Sequence, residues 1–171
     1  MAALITVRRA DYAHPADARA LVQLLDGYAR DPAGGGQALP AEVLQGLPAA
    51  LQQRPQAFSV LAWAQPEEDE GAEPAPVGLV NCFEGFSTFA CRPLVNVHDV
   101  VVASGWRGQR IAQRMLELVE AIARERGACK LTLEVLSGNT SAMALYLREG
   151  FAPYALDPAM GQAQFLQKKL A

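Results

Sequence analysis

The chain has 171 residues, of which 51% are hydrophobic and 19% are charged, and its formal net charge at neutral pH is −3. This length suits one domain, and the apolar content is high enough for a core, which excludes a disordered chain. The net negative charge argues against a dedicated nucleic-acid binder, because such proteins neutralise phosphates with basic side chains. No apolar run approaches the roughly 20 residues of a membrane span, so we expect no membrane partner.

The cysteines and the N-terminal residues indicate a reduced, cytoplasmic protein. The three cysteines form an odd set without metal-ligand spacing, and the chain has two histidines, so we expect no metal site. Residues 1–9 show no basic segment followed by a long apolar stretch, so we expect no signal peptide. Free thiols are typical of the cytoplasm.

The hydrophobic pattern of the first hundred residues predicts elements in the order β-α-α-β-β-β. Pro48 predicts a kink or a break in the second helix. Residues 65–76 contain five carboxylates and three prolines and predict a solvated hairpin loop, with an acidic docking patch as the alternative. The predicted elements are strands at 4–9, 57–64, 77–83 and 94–102 and helices at 15–30 and 40–53.

The second half of the chain predicts a strand–turn–helix unit followed by a second one. The small residues 103–105 lead from the strand at 94–102 into a helix with one apolar face, which Gly127 ends. This order is typical of an α/β fold around one sheet, and we expect a single domain over residues 1–171. The remaining predicted elements are a strand at 130–135, a helix at 141–149 and a last strand at 163–169.

The start of the helix after residue 105 suits a polyanionic ligand such as a pyrophosphate. A helix N-terminus presents unpaired backbone amides and the positive end of the helix dipole. Between Gly105 and Lys130 the chain has six basic and three acidic residues, so this segment is positive within an acidic protein. The alternative is an ordinary amphipathic helix with a basic solvent face. Neither a Walker nor a Rossmann glycine motif occurs in the sequence.

A second segment, from Asn139 to Phe151, combines a helix cap with an aromatic residue. Asn139 can cap the helix, and Tyr146 follows it by two helical turns, so both side chains project along the same side. The structural alternative is a capping asparagine with a half-buried tyrosine.

Together the two segments resemble the GNAT family of acetyl-CoA-dependent N-acetyltransferases. Arg107-Gly108-Gln109-Arg110-Ile111-Ala112 is similar to the family's Gln/Arg-x-x-Gly-x-Gly/Ala pyrophosphate loop, with Arg110 at the place of the middle glycine. Asn139 to Phe151 is similar to its Asn-x-x-Ala-x-x-x-Tyr-x-x-x-Gly-Phe segment. Both motifs occur in order, each after an apolar strand, and the predicted element order matches the family over nearly the whole chain.

The resemblance implies a fold and a site for the acetyl donor. The fold is an α/β GNAT-like domain with a mixed, mostly antiparallel central sheet flanked by helices, in which two splayed strands form the cleft for acetyl-CoA. The pantetheine arm pairs with the backbone of one splayed strand, and the pyrophosphate lies on the loop amides. No metal is implied. The residues implied in binding acetyl-CoA are Val100, Val101, Val102, Arg107, Gly108, Gln109, Arg110, Ile111, Ala112, Asn139 and Tyr146.

A finer resemblance concerns residues 86–102, which are similar to a segment of the diamine (spermidine/spermine-type) acetyltransferases. In that branch two adjacent polar positions precede the apolar end of a strand; here they are His98 and Asp99, with His98 in place of a glutamate. An alkyl ammonium must lose a proton before it attacks, so a base is needed, and His98, Asp99 and Glu84 are the candidates. Strand alternation predicts that His98 and Asp99 point to opposite faces.

The implied function is direct transfer of acetyl from acetyl-CoA to a primary amine of a small molecule within a ternary complex. Tyr146 protonates the departing thiolate or holds its sulfur, and an amide near Val101 stabilises the oxyanion. Two alternatives stay open: a protein or peptide N-acetyltransferase, and a non-catalytic acyl-CoA-binding sensor. We expect loops 31–40 and 84–94 to shape the acceptor pocket, and the resemblance implies a homodimer.

Overall fold

Strands and helices follow the order β-α-α-β-β-β-α-β-α in the computed structural model, which describes residues 3–67, 71–154, 156–161 and 163–170. The strands are β1 (Ala3–Arg9), β2 (Ala57–Pro66), β3 (Ala75–Ser87), β4 (Arg92–Val102) and β5 (Leu131–Leu133). The helices are α1 (Pro15–Arg30), α2 (Ala41–Gln52), α3 (Ile111–Glu125) and α4 (Thr140–Arg148). Single 3-10 turns lie at Pro32–Gly34, Ser104–Trp106 and Pro158–Met160.

Within the described residues, five strands form one sheet in the order β1-β2-β3-β4-β5. The first four strands pair antiparallel, and β5 pairs parallel to β4. A parallel pair needs a long crossover connection, and α3 supplies it between β4 and β5. The predicted fold class, an α/β fold with a mixed and mostly antiparallel sheet, is therefore confirmed.

Helices cover both faces of this sheet. On one face, Leu21 and Leu24 of α1 pack in one core with Leu61 of β2, Leu79 of β3 and Val101 of β4. Because side chains alternate along a strand, the residues directly before and after Leu61, Leu79 and Val101 face the other way, toward α3. We call these surfaces the α1 face and the α3 face.

Gly78 shows how closely α3 approaches its face of the sheet. A Cβ atom at Gly78 would lie 2.8 Å from the terminal carbon of Met115 on α3 and 3.2 Å from the Cβ of Ala62 on β2. Met115 and Val119 of α3 are fully buried. The apolar stripe predicted for this helix is therefore its packing surface.

The boundaries of α1 and the course of α2 illustrate what local sequence decides. Helix α1 covers the predicted residues 15–30, because proline is favoured at the first helical position and the Asp31-Pro32 pair does not continue a helix. The predicted kink or break at Pro48 is wrong in its stronger form, because α2 continues through it. Leu51 lies in the buried core and Leu47 packs against it, which offsets the hydrogen bond that proline cannot donate.

Two expectations about strands need correction. Strands β2 and β3 extend into the predicted loop at 65–76 from both ends, and residues 68–70 of that loop lie outside the described residues. The last strand predicted at 163–169 is wrong, because residues 163–170 are described and contain no strand. A short alternating pattern does not by itself provide the neighbouring strand that a ladder of hydrogen bonds requires.

The chain divides into two compact units. The first comprises residues 1–133 and holds the sheet with α1, α2 and α3; the second comprises residues 134–171 and holds α4. The single domain expected over residues 1–171 stays a prediction. Among the described residues, no helix is both long and apolar enough to span a bilayer.

Candidate active site

An extra residue in β4 interrupts its pairing with β3. Asn81 of β3 pairs with Asp99, and the next residue of β3, Cys82, pairs with Val97. His98 is therefore the extra residue of a β-bulge. Bulges bend a strand, increase its twist and occur often beside active sites.

Strands β4 and β5 separate at the same point. Their parallel pairing covers Val95 to Val97 among the residues that the structure describes, whereas β4 continues to Val102. The backbone of residues 98–102 therefore pairs with β3 on one side. Its other side faces the opening between β4 and β5. The predicted splay of two strands is present, and it begins at the bulge.

The bulge brings His98 and Asp99 to the same face of the sheet, which corrects the prediction of opposite faces. Asp99 Oδ2 accepts a hydrogen bond from Asn81 Nδ2 at 3.0 Å, and the His98 ring packs edge-on against Phe83 with centroids 5.4 Å apart. Asn81 and Phe83 are two residues apart on β3 and so share the α1 face. An extra residue breaks the period of two on which the prediction relied.

The Asp99 carboxylate ends a hydrogen-bonded chain that the sequence analysis missed. Asn81 Oδ1 accepts a hydrogen bond from Ser59 Oγ at 2.6 Å, and Ser59 Oγ lies 2.8 Å from the hydroxyl of Tyr12. Ser59 and Asn81 are both buried. The signal that could have found them is a polar residue inside an apolar strand, once in β2 and once in β3.

Tyr28 on α1 is a further neighbour of Asp99 that the sequence analysis missed. Burial raises the pKa of its phenol, and the negative charges of Asp99 and Asp31 raise it further. The Tyr28 hydroxyl therefore stays neutral near pH 7, and it donates to the Ala33 carbonyl at 3.4 Å.

Glu84 is not brought together with His98 and Asp99. Its carboxylate forms an ion pair with Arg126 at 3.0 Å, and the Arg126 guanidinium lies over the Phe58 ring, 4.7 Å from its centroid. Glu84 lies three residues after Asn81 on β3, on the opposite face of the sheet. The contacts of Glu84 are those of a structural ion pair beyond the end of α3.

The loop before α3 holds a backbone conformation that usually requires glycine. Arg110 is the residue before α3 and has φ 60° and ψ 18°, in the left-handed region, and Gly108 has φ 78°. The family's middle glycine is replaced here by an arginine that nevertheless takes a glycine-like conformation, at a cost of about 1–2 kcal/mol. The Arg114 amide closes the first turn of α3 on the Arg110 carbonyl at 3.1 Å. Helix geometry leaves the amides before Arg114 outside the helical ladder, which suits an anion.

Arg107 lies at the same end of α3, but its side chain is held toward the sheet. Its Nε donates to the Val102 carbonyl at 3.2 Å, and its Nη2 pairs with Asp31 at 3.1 Å. Asp31 also accepts a hydrogen bond from the Ala33 amide, and this bond together with Arg107 holds the pKa of its carboxyl below the ordinary value. Arg107 therefore ties the loop after α1 to the end of β4.

The predicted positive segment is not one continuous patch. Arg114 donates to the Ile5 carbonyl at 2.9 Å, Arg124 pairs with Glu120 one turn earlier, and Arg126 pairs with Glu84. These three cations are used in contacts within the protein. Arg107 and Arg110 are the basic residues of the loop itself.

The second motif, in residues 134–171, is described by itself. Asn139 caps α4, with its Oδ1 accepting a hydrogen bond from the Ala142 amide at 3.2 Å. Tyr146 is buried, and its ring packs against Phe151 at 5.8 Å between centroids. Gly150 has φ 86°, which lets the chain leave the helix in the left-handed conformation. The cap predicted at Asn139 is present.

The cysteines offer no nucleophile on the sheet. Cys82 is buried, and burial raises the pKa of its thiol to about 12, so it stays protonated at neutral pH. Among the described residues, no group of three histidine, cysteine, aspartate or glutamate side chains could hold a metal ion.

The two segments expected to shape the acceptor pocket differ in structure. In 31–40, Asp31 caps the turn at Pro32–Gly34, and Leu39 donates its amide to Asp26 at 2.8 Å. The interpretation of 84–94 as a loop is wrong for most of its length, because the β3–β4 hairpin continues to the pair Ser87–Arg92.

Comparison with known proteins identifies the family. The model of the acetyltransferase (GNAT) family matches residues 21–151, which include both motifs, the bulge and the opening between β4 and β5. The chain belongs to this family. The resemblance stated from the motifs is confirmed.

Curated relatives match about half of the chain. It is 39% identical over 80 residues to streptothricin acetyltransferase of Streptomyces lavendulae, covering 47% of this chain and 42% of that protein. It is 33% identical over 81 residues to thialysine N-epsilon-acetyltransferase of Bos taurus, covering 47% of this chain and 46% of that protein. The chain thus spans less than half the length of these two relatives.

Solved structures share the fold over nearly the whole chain. One described as a probable acetyltransferase has a TM-score of 0.75 and 18% sequence identity, covering 97% of this chain and 99% of that one. At this identity the likeness shows the fold alone.

Proposed function

We propose that the protein is an acetyl-CoA-dependent N-acetyltransferase that transfers acetyl to a primary amine of a small molecule by direct attack. Membership of the GNAT family and the names of the curated relatives support the reaction and the donor. The observation that carries the proposal for this chain is the opening of the sheet at His98. It sets His98 and Asp99 beside a free strand edge that leads directly to the start of α3.

The backbone at the opening suits acetyl-CoA. Along residues 100–102 the edge that β5 leaves open presents backbone amide and carbonyl groups, of which the Val102 carbonyl already accepts from Arg107 Nε, and this edge suits the amides of a pantetheine arm. The amides of residues 107–112 then suit the diphosphate, because a helix N-terminus favours negative charge. Arg110 already holds the left-handed conformation that such a loop requires.

Asp99 is our candidate for the base. An alkyl ammonium must lose a proton before its nitrogen can attack the thioester carbon. The carbon–nitrogen bond then forms, the carbon–sulfur bond breaks, and the amine nitrogen releases a second proton while the thiolate takes one up. Asp99 is half-buried with one oxygen bound to Asn81, so the other oxygen is available to the amine.

The groups around Asp99 also suit recognition of a cation. A carboxylate pairs with an ammonium, and aromatic faces attract cations within about 6 Å. Tyr28 and Phe83 lie on the same face of the sheet, and His98 packs against Phe83. We therefore assign His98, Phe83 and Tyr28 to binding and orientation of the acceptor.

Tyr146 is our candidate for the group that meets the departing sulfur, and the family motif from Asn139 onward supports it. A thiolate is a weak base, so proton donation gives a modest acceleration. We expect Tyr146→Phe to reduce kcat by about tenfold or less, a value below the usual range for general acids.

The acceptor is proposed to be a small molecule with an unhindered primary amine. One relative is named for the epsilon amine of thialysine and another for streptothricin, and both names denote small molecules. A homodimer, a cytoplasmic location and the lack of a nucleic-acid or membrane partner stay predictions from the sequence.

The test uses purified protein with labelled acetyl-CoA and a panel of diamines, lysine analogues, aminoglycosides, streptothricin and peptides. We expect an acetylated small-molecule amine and one free thiol for each acetyl transferred. Asp99→Asn is the matched control, because it should bind acetyl-CoA in calorimetry like the wild type and lose turnover. Transfer to peptides alone would favour the protein acetyltransferase, and binding of acetyl-CoA without transfer to any amine would favour the sensor.

A further inference from the structure

A row of polar side chains crosses the sheet under α1. Tyr12 lies between β1 and α1, and Ser59, Asn81 and Asp99 occupy paired positions on β2, β3 and β4. The contacts are 2.8 Å from Tyr12 to Ser59, 2.6 Å from Ser59 to Asn81 and 3.0 Å from Asn81 to Asp99. We call these four residues the polar row.

The protons of the polar row point one way. Ser59 has a single hydroxyl proton and donates it to Asn81 Oδ1, so Tyr12 must be the donor to Ser59. Asn81 then uses its amide protons for Asp99. Hydrogen bonds in such a chain polarise one another, and the row ends with a donor on Asp99 Oδ2.

The surroundings keep this direction fixed. Burial raises the pKa of the Tyr12 phenol, so Tyr12 keeps the proton that it donates. The titratable groups that interact with Asp99 from other elements are Tyr28 of α1 and Cys82 of β3, and the pKa of each is raised, chiefly by burial. Both are neutral near pH 7, and His98 is the neighbouring titratable group on β4 itself.

The row is not required by packing. The adjacent row of the same three strands is Val60, Val80 and Val100, and it fills the α3 face with apolar side chains alone. Buried polar groups cost free energy unless all their hydrogen bonds are made. Apolar side chains could fill these positions, as they do in the adjacent row. A chain of hydrogen bonds that ends at Asp99 in their place points to a role at Asp99.

We propose that Tyr12, Ser59 and Asn81 are positioning residues that hold Asp99 Oδ2 and direct Oδ1 toward the acceptor amine. This inference rests on the proposed function. It adds three residues from outside the opening between β4 and β5 to the machinery of the reaction. None of the three touches the reacting atoms in this assignment; they act through Asp99.

Kinetics of three variants test the proposal. We expect Asn81→Ala to lower kcat by about tenfold to a hundredfold with KM changed less, because a hydrogen bond to a charged group is lost. Tyr12→Phe removes one hydroxyl and should give a smaller loss of the same kind. Asn81→Asp sets a second carboxylate beside Asp99, so the two share a proton and the acid limb of the kcat/KM profile should move to higher pH.

Val80→Ala is the matched control, because it removes buried volume from the same strand on the α3 face. A purely structural row predicts that Asn81→Ala, like Val80→Ala, lowers the Tm and leaves kcat per folded molecule and the acid limb unchanged. That result would overturn the proposal.

A second measurement does not depend on turnover. Crystal structures of the wild type, Asn81→Ala and Val80→Ala locate the Asp99 carboxylate. We expect Asp99 to leave its wild-type side-chain conformation in Asn81→Ala and to keep it in Val80→Ala. An unmoved Asp99 in Asn81→Ala rejects the row even if no amine is ever acetylated, and a displaced Asp99 without transfer rejects the proposed function alone.

Discussion

The two faces of the sheet are both covered by helices, but the side chains that fill them differ in polarity. On the α3 face the row Val60–Val80–Val100 is apolar, and on the α1 face the next row, Ser59–Asn81–Asp99, is polar. Both rows are covered by helices and use the same three strands. The difference teaches that burial alone does not explain the polar row, and that the side chains proposed to carry the chemistry lie on the α1 face.

The α1 face contains a second buried polar feature with a different role. Asp17 on α1 receives two hydrogen bonds from Arg8 of β1, at 2.5 and 2.6 Å, and one from the Asp11 amide at 2.9 Å. This ion pair ties the first strand to the first helix and does not join the polar row. Polarity on the α1 face thus divides into a structural part and a proposed functional part, which the following variants separate.

Asp99→Asn should have the largest effect on the proposed reaction. Removal of the base is expected to lower kcat/KM by about 10² to 10⁴, the range typical of general bases. The Tm should stay close to that of the wild type, because asparagine can still accept the hydrogen bond from Asn81. Steady-state kinetics with the best amine of the panel measure the loss.

His98→Gln is the comparison for this variant. It retains a polar side chain at the bulge and should raise KM more than it lowers kcat, as expected of a residue that orients the acceptor. A larger loss of kcat in His98→Gln than in Asp99→Asn would transfer the role of base to His98.

Met115→Ala should have the largest effect on stability. It disrupts packing on the α3 face and leaves the polar row on the α1 face unchanged. Met115 is fully buried on α3 against Gly78, so its truncation leaves a cavity and is expected to cost about 2–5 kcal/mol in free energy of unfolding. Denaturant titration measures the loss. The acid limb of the kcat/KM profile should not move, and a shift of that limb would show that the two faces are not separable.

Much of the fold follows from sequence because its signals are local. The bounds of α1 follow from Pro15 and from Asp31-Pro32, and the apolar stripe of α3 follows from helical spacing. The sequence did not predict which side chains of β4 lie on the α1 face. The bulge at His98 arises from the register of two strands, and no residue of β4 signals a bulge by itself.

The parts of the candidate site that lie within a sequence motif could be predicted. The parts that depend on contacts between different strands could not. The segment 107–112 was proposed from its resemblance to the family's pyrophosphate loop, and the cap at Asn139 from the helix-start signal in the sequence. Ser59 and Asn81 are 22 residues apart in sequence and reveal their relation only when β2 and β3 pair. The predicted base Glu84 was misleading for the same reason, since its partner Arg126 comes from the far end of α3.

Asp17→Asn tests the structural part of the α1 face. Burial opposes ionisation of Asp17, but the hydrogen bonds from Arg8 and from the Asp11 amide outweigh it and hold the pKa of this carboxyl below its ordinary value. The pair should therefore stabilise the fold above about pH 4, and this contribution should be lost as the pH falls through the lower value of the folded state. We expect Asp17→Asn to cost about 1–3 kcal/mol at pH 7 and to flatten the fall in stability at acid pH. Unfolding experiments from pH 7 to pH 2 measure both effects, and a loss of kcat per folded molecule would place Asp17 in the functional part.

Arg110→Gly should have the smallest effect on stability. It tests the start of α3, where the helix that covers the α3 face also presents the amides proposed to bind the donor. Helix α3 covers the apolar face, yet its first amides are the proposed site of the diphosphate. Glycine adopts φ 60° without the steric cost that arginine bears, so we expect a gain of about 1 kcal/mol in stability, less the entropy that glycine loses on folding. Arg110→Ala removes the same side chain and keeps the strain. If both variants weaken binding of acetyl-CoA equally in calorimetry, the Arg110 guanidinium contacts the donor; if only Arg110→Ala weakens it, the backbone conformation is what the donor requires and the side chain is dispensable.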